Sequence, residues 1–471
     1  MMMRHGLWLV SWGFMAILWL HVPGLAQSEL PTVPWDVHEA RLDNGLDVLL
    51  LSDARAPVVT FMVWYRVGAR NEHLGSTGLA HLLEHMMFKG TKNYGPRRFS
   101  HLVQRHGGRH NAFTGQDYTA YFERMATDNV DIAIELEADR MQHLVLDDEA
   151  FRLERQVVQE ERRRRVEDQP VAFLWENVRA VAYQAHPYGW PTIGWQTDLH
   201  KLTVDEARRF YETYYVPNNA FLVVVGDFDR TVMLNTIREH FGPIARGAQP
   251  PAVKAQEPEQ HGERRVTVQR PAELPYVAIA YHVPTYDHDD AYALEVMGEL
   301  LGGNQSARLV QSLQREKQLV LAINATYAGV SIDPPLFTVS AQPAQNVQVA
   351  DVESAIWEEI EVLKRQLPSR TELERIKRYL TTTYVIQLDS QFYRAMALGR
   401  AETARSWTWL RAYLPRIAAV TAEDVQRVAR RYLTEENRTV GILQALLGKE
   451  RAERHPRQSS LTRSGRGGST P

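Results

Sequence analysis

The sequence predicts an α+β protein built from two homologous domains, each a mostly antiparallel β-sheet flanked by α-helices. Three observations support this prediction. The chain has 471 residues, which is more than one hydrophobic core normally organises. Short β-branched or aromatic runs alternate with long amphipathic stretches of helical period in both halves. The two halves also match each other at one constant offset, which indicates an internal duplication.

The duplication is visible at both ends of each half. The stretch 202–226 resembles 420–443, and within it Thr203 matches Thr421 and Asn219 matches Asn437, both at an offset of 218 positions. The same offset relates 58–65 to 276–283. Chance similarity would not keep one register over so long a stretch. We therefore expect two related domains rather than two unrelated ones.

Composition shifts divide the chain into five segments. We expect a signal peptide at 1–26, an N-terminal domain at 34–244, a linker at 245–265, a C-terminal domain at 266–447 and a disordered basic tail at 448–471. The linker bears several prolines and glutamates and has no periodic apolar pattern. The tail is rich in arginine, serine and glycine and has almost no apolar residue that could enter a core.

The first 26 residues have the features of a secretory signal. Arg4 precedes an apolar run from Leu7 to Leu20, and Ala26 ends a small-residue cleavage site. The alternative is an uncleaved membrane anchor, although the run is shorter than the roughly 20 residues that a spanning helix needs. The chain has no cysteine, so its stability must come from packing and metal rather than disulfides. We expect export to a bacterial periplasm, with membrane association where the signal is not cleaved.

The overall charge argues against nucleic acid as a partner. The 54 basic and 57 acidic side chains leave a formal net charge of -3. Such a balance provides no electrostatic attraction to a phosphate backbone. A neutral or polypeptide substrate fits the composition better.

The run GLAHLLEHMMFKG is the main chemical signal in the sequence. Its apolar residues follow a helical period, which places His81 and His85 one turn apart on the same face. Two imidazoles at this spacing can bind one zinc ion, and Glu84 beside them can take a proton from zinc-bound water. This order, H-x-x-E-H, is the inverzincin motif. The alternative is a helix with two surface or capped histidines, since a chain with 17 histidines can produce the spacing by chance.

With its flanking residues, the motif resembles the pitrilysin/insulinase family of zinc metallopeptidases. The resemblance implies that Glu161, which lies 76 residues after His85, is the third zinc ligand. It also implies that Glu154, two helical turns before Glu161, supports the site electrostatically. Glu160 is the competing candidate for the ligand, but the family's spacing selects Glu161, and a helix turns Glu160 about 100° away. Three ligands leave one coordination position open, so one catalytic zinc ion per chain is expected.

A second block, 107–123, resembles the N-A-x-T strand of the same family. Alternating polar and apolar residues after a glycine turn suit an exposed edge strand, to which an extended peptide can add through main-chain hydrogen bonds. The resemblance implies a substrate-binding strand formed by Asn111, Ala112, Phe113 and Thr114. The alternative is an ordinary hairpin.

The arginine run 162–165 goes around a full helical turn. We interpret it as a mostly solvated charge cluster, with Glu160 and Glu167 as available partners. The alternative is a surface that binds acidic segments of a substrate.

The second half lacks the metal residues. The offset of 218 carries His81, Glu84 and His85 onto Glu299, Gly302 and Gly303. Glycine has no side chain to offer a metal, so we expect a single zinc site in the chain.

In the family, this second type of domain supplies an arginine and, seven residues later, a tyrosine that stabilise the oxyanion. One register of 309–325 puts Gln314 and Leu321 at these positions, and the other puts Arg315 and Ala322 there. Neither register contains a tyrosine, and leucine and alanine side chains donate no hydrogen bond. The pattern therefore resembles the heterodimeric kind, including the mitochondrial processing peptidase and bacterial two-subunit enzymes. It implies a zinc-bearing subunit of the beta type whose zinc-free homologous partner supplies the tyrosine and, in the first register, the arginine.

The resemblance covers about 34–447 and implies a zinc-dependent endopeptidase acting on peptides or unfolded polypeptides. Hydrolysis would use a zinc-activated water with Glu84 as general base. The alternative from a different class is a non-catalytic scaffold of the same fold, such as the core subunits of respiratory complexes. Degenerate metal positions would favour the scaffold. All four are intact here: His81, Glu84, His85 and Glu161.

Overall fold

The computed structural model describes residue 31 and residues 33–446. The predicted signal peptide and the predicted basic tail lie outside the described residues. Within residues 33–446, no helix is both long enough and apolar enough to cross a membrane.

The first half, from β1 to α8, contributes six strands and eight helices. Its strands are β1 (His38–Arg41), β2 (Asp47–Ser52), β3 (Val58–Tyr65), β4 (Arg109–Thr114), β5 (Thr119–Ala126) and β6 (Ala220–Gly226). Its helices are α1 (Leu79–Met86), α2 (Arg98–Arg105), α3 (Val130–His143), α4 (Asp148–Arg162), α5 (Pro170–Ala182), α6 (Gln196–Leu199), α7 (Val204–Tyr214) and α8 (Arg230–Phe241).

The second half, from β7 to β11, repeats the pattern with five strands and six helices. Its strands are β7 (Arg264–Pro271), β8 (Tyr276–His282), β9 (Val320–Tyr327), β10 (Leu336–Pro343) and β11 (Arg438–Leu446). Its helices are α9 (Asp290–Gly298), α10 (Val349–Arg365), α11 (Arg370–Gln387), α12 (Gln391–Ala404), α13 (Tyr413–Ala419) and α14 (Ala422–Tyr432).

Each half forms one sheet, and the two sheets have the same topology. The strand orders are β1-β2-β6-β3-β5-β4 and β7-β11-β8-β10-β9, which correspond strand for strand once β1 is set aside. In each sheet one pair is parallel, β2 with β6 and β7 with β11, and the other pairs are antiparallel. The predicted fold of two homologous, mostly antiparallel α+β domains is confirmed.

The matched threonine and asparagine residues that indicated the duplication make equivalent hydrogen bonds in both halves. Thr203 and Thr421 cap α7 and α14, each accepting a hydrogen bond from the backbone N–H three residues later. Asn219 and Asn437 each donate from Nδ2 to the carbonyl five residues earlier, at 2.9 and 2.8 Å. These local hydrogen bonds fix the connection from a helix to the buried strand that follows it.

Both faces of each sheet are covered, and one face is covered by a helix from the other half. In the second sheet, Leu174 and Val178 of α5 pack against Ala278, Ala280 and Leu443. Burial on both faces explains why β6 reads AFLVVVG, a continuous apolar run rather than an alternating one.

The exchange is reciprocal, because α12 of the second half covers the first sheet. Leu398 and Ala401 pack with Trp64 of β3 in one buried cluster. Gly399 allows the close approach, since a Cβ atom there would lie 2.0 Å from the Trp64 ring. The two halves are therefore interlocked through equivalent helices.

The segment between α8 and β7 contains no helix or strand from residue 245 to residue 263. It is nonetheless fixed to the end of α5, because the Glu257 carboxylate accepts the backbone N–H groups of Gln184 and Ala185, each at 2.9 Å. Strand β7 begins at Arg264, so the last two residues of the predicted linker belong to a strand. The domain boundaries themselves stay a prediction.

Candidate metal centre

Helix α1 carries the H-x-x-E-H motif and is fixed by its apolar face. Leu79, Leu82, Leu83 and Met86 are buried in the core of the first half. Gly78 begins the helix with a φ of 89°, and a Cβ atom there would lie 2.6 Å from the carbonyl oxygen of Ile193. Only glycine fits this start without strain. The opposite face of the helix carries the polar residues of the motif.

A buried carboxylate holds the start of this helix. Glu72 accepts hydrogen bonds from the backbone N–H groups of Gly78 at 2.8 Å and Ala80 at 2.7 Å. Burial raises the pKa of Glu72 to about 8, although these backbone donors act in the opposite direction. Asp198 fixes the preceding turn by accepting the Thr77 hydroxyl at 2.7 Å. Sequence reasoning missed Glu72, because its contacts depend on how the loop folds back onto the helix.

His81, His85 and Glu161 come together across α1 and α4. Glu161 Oε2 lies 3.9 Å from His81 Nε2 and 3.3 Å from His85 Nε2. One donor atom from each residue lies within 4.8 Å of the others. Ligands placed about 2.1 Å from a tetrahedral zinc ion lie about 3.4 Å apart, so small shifts would accommodate the ion. Among the described residues this is the only group of three or more metal-binding side chains so arranged.

The two histidines differ electrostatically. Burial, helped by the neighbouring His85, lowers the pKa of His81 to about 4, which favours the neutral imidazole that binds metals. Burial also acts to lower the pKa of His85, but hydrogen bonds to Glu154 and Glu161 raise it to about 9. Nδ1 of His81 is buried and has no hydrogen-bond partner among the described residues.

Glu84 stands beside this group but outside it. Its Oε2 accepts the hydroxyl of Thr114 at 2.5 Å, which turns the carboxylate towards β4. Burial raises the pKa of Glu84, and the hydrogen bond from Thr114 partly opposes that effect. A carboxylate in such surroundings is suited to accept and release a proton.

Glu154 contacts His85 rather than the metal-binding group as a whole. Its Oε1 lies 2.9 Å from His85 Nδ1, and its Oε2 is paired with the Lys89 ammonium. Burial acts to raise the pKa of Glu154, but the bonds to His85 and Lys89 hold it below the usual value. Sequence reasoning missed Lys89, although its position four residues after His85 was a usable signal.

The arginine run after Glu161 is only partly solvated. Arg163 and Arg164 are exposed and pair with Glu160, as predicted. The prediction was wrong for Arg162, which is buried and donates to both oxygens of Glu176 at 2.8 Å. Helix α4 turns this side chain inwards, where a carboxylate from α5 compensates its charge.

Arg165 is exposed and lies 2.7 Å from Oε1 of Glu161. Although it is largely in solvent, its guanidinium therefore pairs with the candidate ligand. Arg165 follows Glu161 by four residues, a helical spacing at which opposite charges are neighbours, so the sequence alone could have predicted this ion pair.

The predicted substrate strand is an edge strand. β4 is the last strand of the first sheet and pairs only with β5, which leaves one main-chain edge unpaired in the described structure. Asn111 is exposed, while Ala112, Phe113 and Thr114 are half-buried. The strand ends at Thr114, in contact with Glu84. Substrate binding along this edge stays a prediction.

The second half has no room for an equivalent centre. Glu299, Gly302 and Gly303 lie in a π-helical turn, Glu299–Gly303, that packs against β9. A Cβ atom on Gly302 would lie 2.5 Å from the backbone nitrogen of Ala325, and one on Gly303 would meet the Glu299 carboxylate. Close packing against the sheet occupies the space that metal ligands would need.

The positions compared with the family's arginine and tyrosine lie on a π-helical turn, Val310–Glu316, and on β9. Gln314 Nε2 donates to the backbone carbonyl of Leu321 at 2.9 Å, so the Gln314 side-chain amide already has a partner within the chain. The Leu321 side chain is 53% exposed and Ala322 is also exposed. Neither offers a polar group to a developing oxyanion.

Several known proteins are similar to this chain. The family described as Insulinase (Peptidase family M16) matches residues 47–195, and the one described as Peptidase M16 inactive domain matches residues 201–380. Zinc protease PqqE of Helicobacter pylori is 32% identical over 424 residues, which cover 89% of this chain and 94% of that protein. An uncharacterized zinc protease of Bacillus subtilis, YmxG, is 27% identical over 395 residues, covering 83% and 95%. The crystal structure of a protease from Helicobacter pylori superposes with a TM-score of 0.84 at 31% identity, covering 87% of this chain and 99% of that one.

Proposed function

The chain belongs to the insulinase family (peptidase family M16), and we propose that it is a zinc-dependent endopeptidase acting on peptides or unfolded polypeptides. The observation that carries this proposal is the convergence of His81, His85 and Glu161, whose donor atoms lie within 4.8 Å of one another. Glu84 lies beside them without belonging to the group. This is the separation of roles that a metallopeptidase needs between ligands and base.

The donor set fits zinc. Two imidazole nitrogens and one carboxylate oxygen form a common catalytic zinc environment, with a fourth position open. Bound there, zinc would polarise the peptide carbonyl and lower the pKa of water. His81, His85 and Glu161 would hold the ion, while Glu154 orients the His85 ring from its other nitrogen.

In this proposal the chain's own residues bind the peptide and move the proton. An extended peptide would add to the free edge of β4, which brings a scissile bond near the end of the strand at Thr114. Glu84, oriented by the Thr114 hydroxyl, would take a proton from the attacking water and deliver it to the departing amine. Binding through main-chain hydrogen bonds would allow loose sequence preference.

A zinc-free homologous partner is part of the same proposal. Leu321 and Ala322 provide no hydroxyl, and Gln314 is bonded to the Leu321 carbonyl. An oxyanion needs preorganised donors, whose removal typically costs 100-fold or more in rate. A related chain that carries the missing tyrosine would restore this donor in a heterodimer. Export to the periplasm, supported by the leader predicted at 1–26, also stays a prediction.

The non-catalytic scaffold remains the second candidate. It requires no metal and no base, and the intact metal positions give it no support here. Zinc content and activity distinguish it from the peptidase, because a scaffold would neither bind zinc in a fixed ratio nor show hydrolysis that depends on Glu84.

Metal analysis of the purified chain tests the ligand assignment without relying on activity. After dialysis against trace zinc, we expect one zinc ion per chain in the wild type and in Glu84→Gln. Glu161→Gln should lose the metal, whereas Glu160→Gln should keep it, because Glu160 is paired with Arg163 and Arg164 instead. Zinc retained by Glu161→Gln would overturn the assignment.

Hydrolysis of an internally quenched peptide tests the reaction and the partner. The chain should have little activity alone and full activity when co-expressed with a zinc-free homologue that carries the tyrosine, and Glu84→Gln should abolish both. Full activity of the chain alone would refute the partner. Retained activity in Glu84→Gln would refute the mechanism.

A further inference from the structure

A cavity of about 870 Å³ lies between the two halves of the chain. Its walls come from the β4–β5 turn, from Val166 and α5, from residues 183–193, from residues 328–338 of the second half and from Arg400 of α12. The cavity is close to the candidate metal centre along the chain. Gln116 on its wall is two residues after Thr114, and Val166 is five residues after Glu161. The cavity wall therefore begins close to the end of β4, where a peptide bound along the free edge would emerge.

The two carboxylates on the cavity wall are already compensated. Asp117 accepts the Tyr188 hydroxyl at 2.6 Å and lies 3.6 Å from the Arg70 guanidinium. Glu176 accepts two hydrogen bonds from Arg162, both at 2.8 Å. Neither Arg70 nor Arg162 lines the cavity. The positive charges that neutralise these acids thus lie outside it.

The two arginines on the wall are not compensated. Arg179 and Arg400 are exposed, and neither guanidinium has a hydrogen-bond or ion-pair partner among residues 33–446. Much of the remaining lining is apolar or aromatic, including Trp175, Tyr118 and Leu336. The cavity therefore combines two free cations with a largely apolar surface. Guanidinium groups bind carboxylates through paired N–H donors, and apolar surroundings strengthen that attraction.

We propose that this cavity is a substrate subsite that binds an acidic side chain of the peptide, with Arg179 and Arg400 as the groups that contact its carboxylate. The proposal rests on the proposed peptidase function and adds a substrate class to it. Apolar atoms of the same or the adjacent substrate residue pack against Trp175 and Leu336. The subsite thus gives the enzyme a preference for peptides that carry a glutamate or aspartate near the cleaved bond.

The test is a positional series of quenched peptides assayed with the enzyme and its partner. A neutral parent peptide receives one glutamate at each position within four residues of the cleaved bond, and a matched series carries glutamine. One glutamate position should raise kcat/KM roughly tenfold over its glutamine counterpart, the order expected for a charge-assisted hydrogen bond. Arg179→Gln and Arg400→Gln should remove that advantage, so that each variant hydrolyses the glutamate peptide and its glutamine counterpart with similar kcat/KM.

Arg238→Gln is the matched control, because Arg238 is an exposed arginine of α8 that does not line the cavity. It should keep the glutamate advantage. An advantage that survives both cavity substitutions overturns the subsite. An equal loss for glutamate and glutamine peptides also overturns it, because that result shows a general structural effect.

A binding measurement separates failure of the subsite from failure of the proposed function. The fluorescently labelled glutamate peptide is titrated into Glu84→Gln, where no turnover is needed, and anisotropy reports binding. Hydrolysis without any glutamate preference refutes the subsite and leaves the peptidase standing. No hydrolysis, with binding that still weakens roughly tenfold in Arg179→Gln and Arg400→Gln, refutes the peptidase and supports the subsite.

Discussion

Nδ1 of His85 lies 2.9 Å from Oε1 of Glu154, and this contact determines which ring nitrogen of His85 faces Glu161. With Nδ1 engaged, Nε2 points to Glu161 Oε2 at 3.3 Å. The Glu154 carboxylate is itself paired with the Lys89 ammonium. The orientation of the His85 ring is therefore fixed by Glu154, and Glu154 is fixed by Lys89. Such outer contacts orient a metal ligand and raise its basicity.

Glu154→Ala should therefore weaken zinc binding without removing a ligand. We expect the zinc dissociation constant to rise about 10- to 100-fold, measured by competition with a chromogenic chelator. Glu149→Ala is the control, because Glu149 is an exposed residue of the same helix α4. Equal zinc affinities in the wild type and Glu154→Ala would show that Glu154 does not support the site.

Thr114→Val tests whether the substrate strand also orients the base. The Thr114 hydroxyl donates to Glu84 at 2.5 Å, and valine keeps the shape of threonine but has no donor. We expect kcat to fall roughly tenfold with the zinc content unchanged, because Glu84 loses the contact that directs it. Thr114→Ser retains the hydroxyl and should keep most of the rate. A serine variant as slow as the valine variant would assign the effect to packing instead.

The sequence predicted the duplicated fold well, because its signals were local. Thr203 and Thr421 begin equivalent helices, and the apolar runs 58–65 and 276–283 became the corresponding strands β3 and β8. Local capping and periodicity do not depend on distant contacts. Which sheet a helix packs against does depend on distant contacts. Nothing in the sequence of α5 or α12 indicates that each covers the sheet of the opposite half.

In the candidate metal centre, too, local features were predictable from the sequence and long-range contacts were not. The spacing of His81 and His85 is a property of one helix, and the resemblance added Glu161, which the structure brings within 3.3 Å of His85. Glu72 was not predictable, because it reaches α1 through a loop whose path is set by tertiary packing. Arg162 was mistaken for a solvated residue, since its carboxylate partner comes from the next helix.

Glu72→Gln should change how the stability of the chain depends on pH. Burial raises the folded-state pKa of Glu72 from its usual 4.5 to about 8, so the folded chain holds this proton more tightly than the unfolded chain. Between these values the folded state binds more protons, so the wild type should lose stability as pH rises, by up to about 1.4 kcal/mol per pH unit. This contribution is fully present below pH 4.5 and is lost by about pH 8.

Urea unfolding of both proteins from pH 4.5 to pH 8.5 measures the effect. Glutamine does not titrate, so the unfolding free energy of the wild type should fall relative to that of Glu72→Gln as pH rises. Glu149→Gln, an exposed residue, should follow the wild type at every pH. Parallel curves for wild type and Glu72→Gln would mean that the buried carboxylate does not titrate in this range.

Arg140 of α3 is fully buried in the first half, where it compensates two buried acids. Its Nε donates to Glu137 Oε2 at 2.7 Å, and a terminal nitrogen lies 3.7 Å from Glu123 Oε1. The guanidinium also stacks on aromatic rings, 4.2 Å from the Tyr121 centroid and 4.5 Å from the Phe99 centroid. Removing the cation alone leaves two carboxylates in an apolar environment, where burial already raises the pKa of Glu123.

Arg140→Met should therefore cost about 3–5 kcal/mol of unfolding free energy, the usual range for breaking a buried ion pair. Arg238→Met on the surface of α8 should change it by about 0.5 kcal/mol or less. Adding Glu123→Gln and Glu137→Gln to Arg140→Met should recover part of the loss, because no uncompensated charge then remains buried. Urea denaturation of the four proteins measures these differences. A triple variant less stable than Arg140→Met would show that hydrogen bonding and aromatic stacking, rather than charge compensation, make Arg140 necessary.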